Sequence, residues 1–478
     1  MKLAAFLKAP FLHEGKVDKL LLALFLAINL LVLTNSVLHD PEIGYDAKHY
    51  LRYIQILPFR LPTDEDTREF FSAPLPYILP SFVDEACHRL SGVRDVPLII
   101  DDCVRKAGKF AQFINSILSL GVTFLFIKIA EVVRPNNRFL KISSLALLGV
   151  MTVYYRTFAQ VRGEPYVVFF TAWAIYLLSK MIYARERLAW RSGIGLGIIL
   201  GLLILSRQWG LMLLPAILGL MALVWMLDRT HRWQLGRALA TSFIIAFLIC
   251  SWFYLHLYLG YGSVLAFNRS PRAFSFSNRP LSFYRSTGLK NLLLFKTPTR
   301  EAFNNQFFPL FYSDLWGDYW GYFVFIQVNS TIIEKGYQGN RQQIRPYLGR
   351  VNAVALFPSF IFGAGVLTSA FSVMKLSRSD QEEKSRALFF TFLLIFGIVS
   401  LIIYMYFLIT YTMTNQDTTN KATYMLHALI VLPLLGAEFL ERVRVRYPRG
   451  YLAGMALLGL VFLHNLPAMI TRFSALFQ

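Results

Sequence analysis

Acidic side chains are scarce in this chain: 28 Asp and Glu stand against 48 Lys and Arg, and charged residues of either sign fill only 16% of 478 positions. A water-soluble or disordered protein needs about a quarter of its residues charged, so both classes are excluded. Cysteine is rarer still, with Cys87, Cys103 and Cys250 the whole complement, which excludes a disulfide framework. Cys87 and Cys103 share one polar segment, where an oxidising compartment would permit a bridge; two reduced, partly buried thiols are the simpler expectation. Internal repeats, low-complexity tracts and the short alternating segments of a membrane barrel are not seen either.

What fills the chain is apolar: 55% hydrophobic and 15% aromatic residues, gathered in long runs. Roughly 20 apolar residues cross the hydrocarbon core, and lipid leaves backbone groups no partner outside the helix, so these runs are read as spanning helices. About eleven are expected, at 19–38, 109–131, 140–155, 165–183, 192–206, 209–227, 238–259, 351–374, 387–411, 422–440 and 451–470. The expected fold is therefore all-α and polytopic, with two large extracytoplasmic loops that carry interfacial helices. Three regions follow: 1–259, an N-terminal transmembrane catalytic module that includes the first loop at 39–108; 260–350, the second loop; and 351–478, the C-terminal transmembrane helices. The N-terminus lacks a short apolar core followed by a small-residue cleavage site, so the first span is expected to be an uncleaved anchor.

A net charge of +20 invites a nucleic-acid reading, but its distribution argues otherwise. With Lys2, Lys8, Lys16 and Lys19 cytoplasmic, the turns bearing Arg134/Arg138, Arg185/Arg187/Arg191, Arg229/Arg232/Arg237, Lys375/Arg378/Lys384/Arg386 and Arg442/Arg444/Arg446/Arg449 all fall on the same side. That is the positive-inside pattern, so the charge sets orientation, and no nucleic-acid partner is expected. A reporter active only in the cytoplasm, fused after residue 60 or after residue 300, is predicted to give no signal; a signal at either site overturns this orientation.

Both long loops fall on the opposite face, and long loops in compact proteins are usually functional. The first carries candidate amphipathic helices near 46–57, 82–90 and 97–107, divided by Ala73-Pro-Leu-Pro-Tyr-Ile-Leu-Pro80. The second interleaves Arg269, Arg272, Arg279, Arg285, Lys290, Lys296 and Arg300 with Phe274, Phe276, Phe283, Tyr284 and Phe295, a mixture suited to resting on lipid headgroups.

Where the first span ends, His39-Asp-Pro-Glu-Ile-Gly-Tyr-Asp46-Ala-Lys-His-Tyr50 sets Asp40, Glu42 and Asp46 at the outer water boundary. A carboxylate near apolar surroundings can act as a general base; a solvated loop acid or helix cap is the plainer reading of any one of them. A few cations also lie on this face, where positive charge is otherwise scarce: Arg156, Arg162 and Arg207, with Lys421 in Asp417-Thr-Thr-Asn-Lys-Ala-Thr-Tyr424; Glu164 accompanies Arg162. Any single one of these is expected to snorkel to a headgroup; several converging would suit a phosphate. Asp46 and His49, three apart, could share a metal on one helix face, but two ligands are few, and a metal-independent enzyme without cofactor is the reading kept.

The order of one span, then Gly44-Tyr-Asp-Ala-Lys-His-Tyr50, then Ala73-Pro-Leu-Pro-Tyr77, then Arg162-Gly-Glu-Pro before the fourth span, resembles the membrane glycosyltransferases of the GT-C superfamily. Protein O-mannosyltransferases and the lipid A aminoarabinose transferase are among that superfamily's members, and Ser313-Asp-Leu-Trp-Gly-Asp-Tyr-Trp320 and the Asp417–Tyr424 segment are similar to its sugar-transferring bacterial branch. The resemblance implies transfer, usually inverting, from a polyprenyl-phosphate or polyprenyl-pyrophosphate sugar to a glycan, lipid or protein acceptor outside the cytoplasm, within a bacterial inner membrane. It maps the family's first-loop acid onto Asp46, with Glu42 or Glu164 as partner carboxylate because Ala47 stands where the family commonly has Glu. Arg162, Arg207 and Lys421, with Arg156 behind them, would hold the departing donor phosphate, and Tyr45, His49, Asp314 and Asp318 would meet substrate, although Asp314 and Asp318 equally read as an ordinary turn. The rival expectation is a polytopic transporter or lipid flippase without transferase activity, which would place its charges at mid-membrane and often shows inverted repeats.

Overall fold

The computed structural model describes residues 9–13, 15–92, 100–183, 190–227, 232–286, 288–298, 303, 305–324, 341–373, 381–412 and 420–473. Apart from a two-residue antiparallel pairing of Leu12–His13 with Lys16–Val17, it is helical. The protein is an all-α polytopic membrane protein: among the described residues eight helices are long and apolar enough to cross a membrane, or up to ten if two bent pairs are each counted as a single span.

Helix α1 (Lys19–Leu38) starts where the Asp18 carboxylate accepts from the backbone N–H of Leu20 and Leu21. The outer layer follows as α2 (Ala47–Ile56) and α3 (Leu75–Ser91), the latter closed by Gly92 at φ 71°, a left-handed cap suited to glycine. Helix α4 (Asp102–Val133), capped by Asp101, returns through the membrane. Next come α5 (Arg138–Gly149) and α6 (Thr152–Ala159), bent 66° to each other, then α7 (Glu164–Tyr183). Helices α8 (Trp190–Ile204), α9 (Leu213–Leu227) and α10 (Arg232–Tyr261) complete the first half. The second half holds α11 (Phe307–Trp316), α12 (Arg341–Val354), α13 (Leu356–Val373), α14 (Gln381–Thr410), α15 (Val431–Arg446) and α16 (Pro448–Asn465).

Four sequence expectations take a different form in the structure. The span expected at 140–155 is the bent pair α5 and α6, and the one at 422–440 is a short helical stretch, Ala422–Leu429, bent 46° from α15. The segment expected to span at 192–206 is helical over Trp190–Ile204, 15 described residues. The third loop helix, expected at 97–107, is the head of α4, so Asp102–Val133 runs unbroken from the outer layer into the membrane, and the segment 93–99 lies outside the described residues.

Lipid offers no hydrophobic drive between helices, so close packing and buried polar contacts must join them. Gly193, Gly197 and Gly201 form a one-sided stripe on α8; a Cβ at Gly193 would stand 2.3 Å from the Ala238 carbonyl oxygen, and one at Gly197 2.7 Å from that of Ser242. Bare backbone therefore sets the approach of α8 to α10. Between α1 and α4, Asn29 donates to Thr123 Oγ1 at 2.9 Å and accepts from Ser119 at 2.8 Å. Large side chains such as Leu30, Phe247, Phe360 and Leu460 remain exposed on the outside, where a bilayer would cover them.

Cys87 and Cys103 are joined by a disulfide, with Cα atoms 5.5 Å apart, against the expectation of two reduced thiols. Helix α3 packs against α4, and this contact brings the two positions together. Linear spacing alone could not show it.

Candidate active site

The broken helices deliver polar groups to one place. Irregular backbone at membrane depth is tolerated where it lines a cavity, and two interruptions meet here: between α8 and α9, and before Ala422. They border a cavity of about 480 Å³ whose polar end carries Asp46, Glu69, Ser72, Arg207 and Lys421. Its other walls are largely apolar, with Phe71, Trp209, Phe267, Tyr406, Phe407, Tyr411 and Tyr424. All three regions drawn from the sequence contribute lining residues.

Asp46 stands at the head of α2 in the left-handed region, φ 57°, and makes no side-chain cap bond. Its backbone oxygen starts the helix by accepting from His49 and Tyr50, which leaves the carboxylate, 38% exposed, to face the cavity. Lys421 Nζ lies 3.7 Å from Asp46 Oδ2, 3.3 Å from Tyr424 Oη and 4.4 Å from the centre of the Tyr45 ring. The guanidinium of Arg162 approaches the same Tyr45 ring at 5.4 Å, so two cations contact this tyrosine.

Arg207 is buried and forks among four groups. Nη1 donates to Tyr50 Oη at 2.6 Å and to Ser72 Oγ at 3.1 Å, Nη2 donates to Glu69 at 3.4 Å, and Nε lies 3.2 Å from Glu164 Oε1. Glu164 also accepts from Arg162 Nε at 2.6 Å, and both are buried outside the cavity lining. The outer layer fixes Tyr50: its ring stacks on Tyr77 at 5.5 Å, Tyr77 packs on Tyr53 at 4.7 Å, and Tyr53 donates to the Ser72 carbonyl.

The remaining expected residues hold the frame. Arg156 is buried beside Asp314 at 2.9 Å and Asp318 at 3.9 Å. Asp314 also accepts from Tyr45 Oη at 3.2 Å and from the backbone N–H of Ala422 at 2.7 Å, so one carboxylate fixes the residues adjacent to both Asp46 and Lys421. Asp318 gathers four backbone N–H groups, from Gly321 to Val324. His49 is half-buried on α2 and absent from the cavity lining. Glu42 pairs with Arg105 at 2.6 Å near the head of α4, also away from the cavity.

Glu69 escaped the sequence reading. It sits in Arg68-Glu-Phe-Phe-Ser72 with no motif around it, and the only local signal is an acid set against two aromatics that pack inward. The proton affinities of Asp46 and Glu69 are shifted in opposite directions. Burial would raise the Asp46 carboxyl, but Lys421, then Arg162 and Arg207, outweigh it and hold the group below the ordinary aspartate value. Burial lifts Glu69 above the ordinary glutamate value; Arg207 opposes the rise and the charge of Asp46 adds to it.

No protein-family model matches the chain, and no curated protein matches it in sequence. Solved structures do match in fold. The oligosaccharyltransferase AglB of Archaeoglobus fulgidus, in complex with an inhibitory peptide and a dolichol-phosphate, aligns over 95% of this chain with TM-score 0.53 and 14% identity. An Archaeoglobus fulgidus oligosaccharyltransferase in complex with Zn and sulfate aligns over 94% with TM-score 0.51 and 14% identity. ArnT of Cupriavidus metallidurans aligns over 91% of this chain and 62% of its own length, with TM-score 0.48 and 11% identity. The chain spans 56% and 53% of the two oligosaccharyltransferase chains, so it corresponds to about half of each. Over nearly its whole length the chain shares the fold of these archaeal oligosaccharyltransferase structures.

Proposed function

We propose that this protein is a membrane glycosyltransferase that moves a sugar from a polyprenyl-phosphate or polyprenyl-pyrophosphate carrier to a hydroxyl outside the cytoplasm. One observation carries the reading: a single cavity sets an ionised carboxylate, Asp46, against Lys421 and Arg207 at its polar end, with aromatic walls leading away. Glycosyl transfer develops positive charge on the sugar and negative charge on the leaving phosphate, so it calls for a base on one face and cations on the other. In the proposed reaction Asp46 takes the acceptor proton as the acceptor oxygen bonds to the anomeric carbon. The bond from that carbon to the phosphate oxygen breaks on the opposite face, its electron pair goes to the phosphate, and the anomeric centre inverts.

Lys421 and Arg207 stabilise that phosphate, and the aromatic walls take the first units of the polyprenyl tail. Arg162 and Glu164 act by positioning Arg207, and Arg156, Asp314 and Asp318 by fixing Tyr45 and the Lys421 segment. AglB supports the carrier class, since its fold is shared and it was solved with a dolichol-phosphate. The Cys87–Cys103 bridge supports an outer face in an oxidising compartment, such as the outside of a bacterial inner membrane. Each cavity carboxylate already faces a cation of this chain, Asp46 with Lys421 and Glu69 with Arg207, which favours a reaction without a divalent metal.

The test uses purified protein in vesicles with radiolabelled polyprenyl-phosphate and polyprenyl-pyrophosphate sugars and an envelope extract as acceptor source. Release of free carrier lipid that depends on the extract is expected. Movement of intact donor across the vesicle, with no cleavage under any pairing, would instead establish the flippase alternative.

A further inference from the structure

A second cluster of ligating side chains lies away from the cavity, in the outer layer where α3 meets α4. Asp84 and His88 are one turn apart on the same face of α3, and Asp101 is the N-cap of α4. One ligand atom from each falls within 4.8 Å of the other two. His88 Nδ1 lies 3.0 Å from the Asp84 carbonyl oxygen and donates to it, which fixes the ring and turns Nε2 toward Asp101 Oδ2 at 2.7 Å. A histidine held by a backbone carbonyl through one nitrogen presents the other as a metal ligand. Asp84 is 3% exposed, and its Oδ1, 3.6 Å from His88 Nδ1, is buried with no hydrogen-bond donor. A buried carboxylate oxygen without a donor is costly, and a cation is the partner that would satisfy it.

We infer that Asp84, His88 and Asp101 form a binding site for a divalent transition-metal ion of the zinc class, which clamps the end of α3 to the head of α4. Imidazole with two carboxylates selects zinc-like ions over calcium and magnesium, which prefer all-oxygen sets of six or more ligands. Tetrahedral zinc places its ligand atoms about 3.3 Å apart, so small side-chain rotations close the set, and a water completes it. Asp101 is partly exposed, which gives an ion its entry. The disulfide ties the same two helices, from Cys87 beside His88 to Cys103 two residues past Asp101, so the ion would be a second fastener of the layer that supports Tyr50 and Tyr77. The site is structural and stands apart from the transfer reaction.

Full-length protein in detergent, stripped with a chelator and titrated with Zn²⁺ by calorimetry, is expected to bind one ion tightly and to gain a few degrees in Tm. Mg²⁺ and Ca²⁺ should give neither response. His88→Gln and Asp84→Asn should each weaken the zinc affinity by more than about a hundredfold, while gel filtration and the intact Cys87–Cys103 bridge show that the variants fold. Asp101→Asn, at the exposed edge, should weaken binding without loss of fold. Absence of tight zinc binding by the wild type, or wild-type affinity in His88→Gln, would overturn the inference and leave a plain His–Asp hydrogen-bond network.

Discussion

Asp46→Asn should abolish sugar transfer while leaving the protein folded and inserted. Positioned general bases contribute about 10²–10⁴-fold, so single-turnover transfer with saturating donor should fall at least a hundredfold. Folding should survive because the backbone of Asp46, not its carboxylate, starts α2, and asparagine adopts the left-handed conformation at φ 57° as readily as aspartate. Asp46→Ala would add strain at that φ and confuse the two effects. The pH profile carries a further check. Asp46 is held below the ordinary aspartate value of about 3.9, so kcat/KM should stay flat as pH falls and decline only once the pH passes below that value. Its contribution to stability has the same sign: present above the unfolded value and lost as pH falls through the folded one. An acid limb above the ordinary glutamate value would move the role of base to Glu69, whose carboxyl burial raises. Full activity in Asp46→Asn would remove the assignment outright.

Arg162, Arg207 and Lys421 were legible as candidates because they depart from the expected positive-inside pattern, and the fold does bring them near Asp46. Their depth was not legible. Arg207 and Lys421 line the cavity, whereas Arg162 lies behind it and reaches the site through Glu164 and Tyr45, a difference set by where each helix is interrupted. Periodicity and hydropathy locate apolar runs but not bends, so α5 and α6 read as one span although a 66° turn separates them, and that turn helps bring Arg156 against Asp314. The acids misled in a different way. Glu42 had the favoured position next to the Asp46 motif, yet Arg105, 63 positions further along the chain, draws it away, while Glu69 had no motif at all and is carried to the site by the packing of Phe70 and Phe71. Long-range pairing decides both, and one sequence does not record it.

Arg207→Ala should be the most damaging single change in the molecule. Its guanidinium stands between two buried carboxylates, Glu69 and Glu164, and holds Tyr50 and Ser72 as well. Removing one partner of a buried ion pair typically costs about 3–5 kcal/mol, because the remaining charge stays desolvated. Arg162 still neutralises Glu164 in this variant, so the stranded group is Glu69. Thermal unfolding in detergent should therefore show a large loss, and Arg207→Ala combined with Glu69→Gln should recover much of it. Transfer should not recover: a lost electrostatic contact to the developing phosphate costs about 10²–10³-fold, and neutralising Glu69 does nothing to replace it. Arg207→Lys, which restores charge but not the planar fork, should fall between the two in stability. The separation of the two readouts is what matters. If activity returns together with stability in the double variant, Arg207 is only a prop for the outer layer, and the phosphate must be held by Lys421 without it.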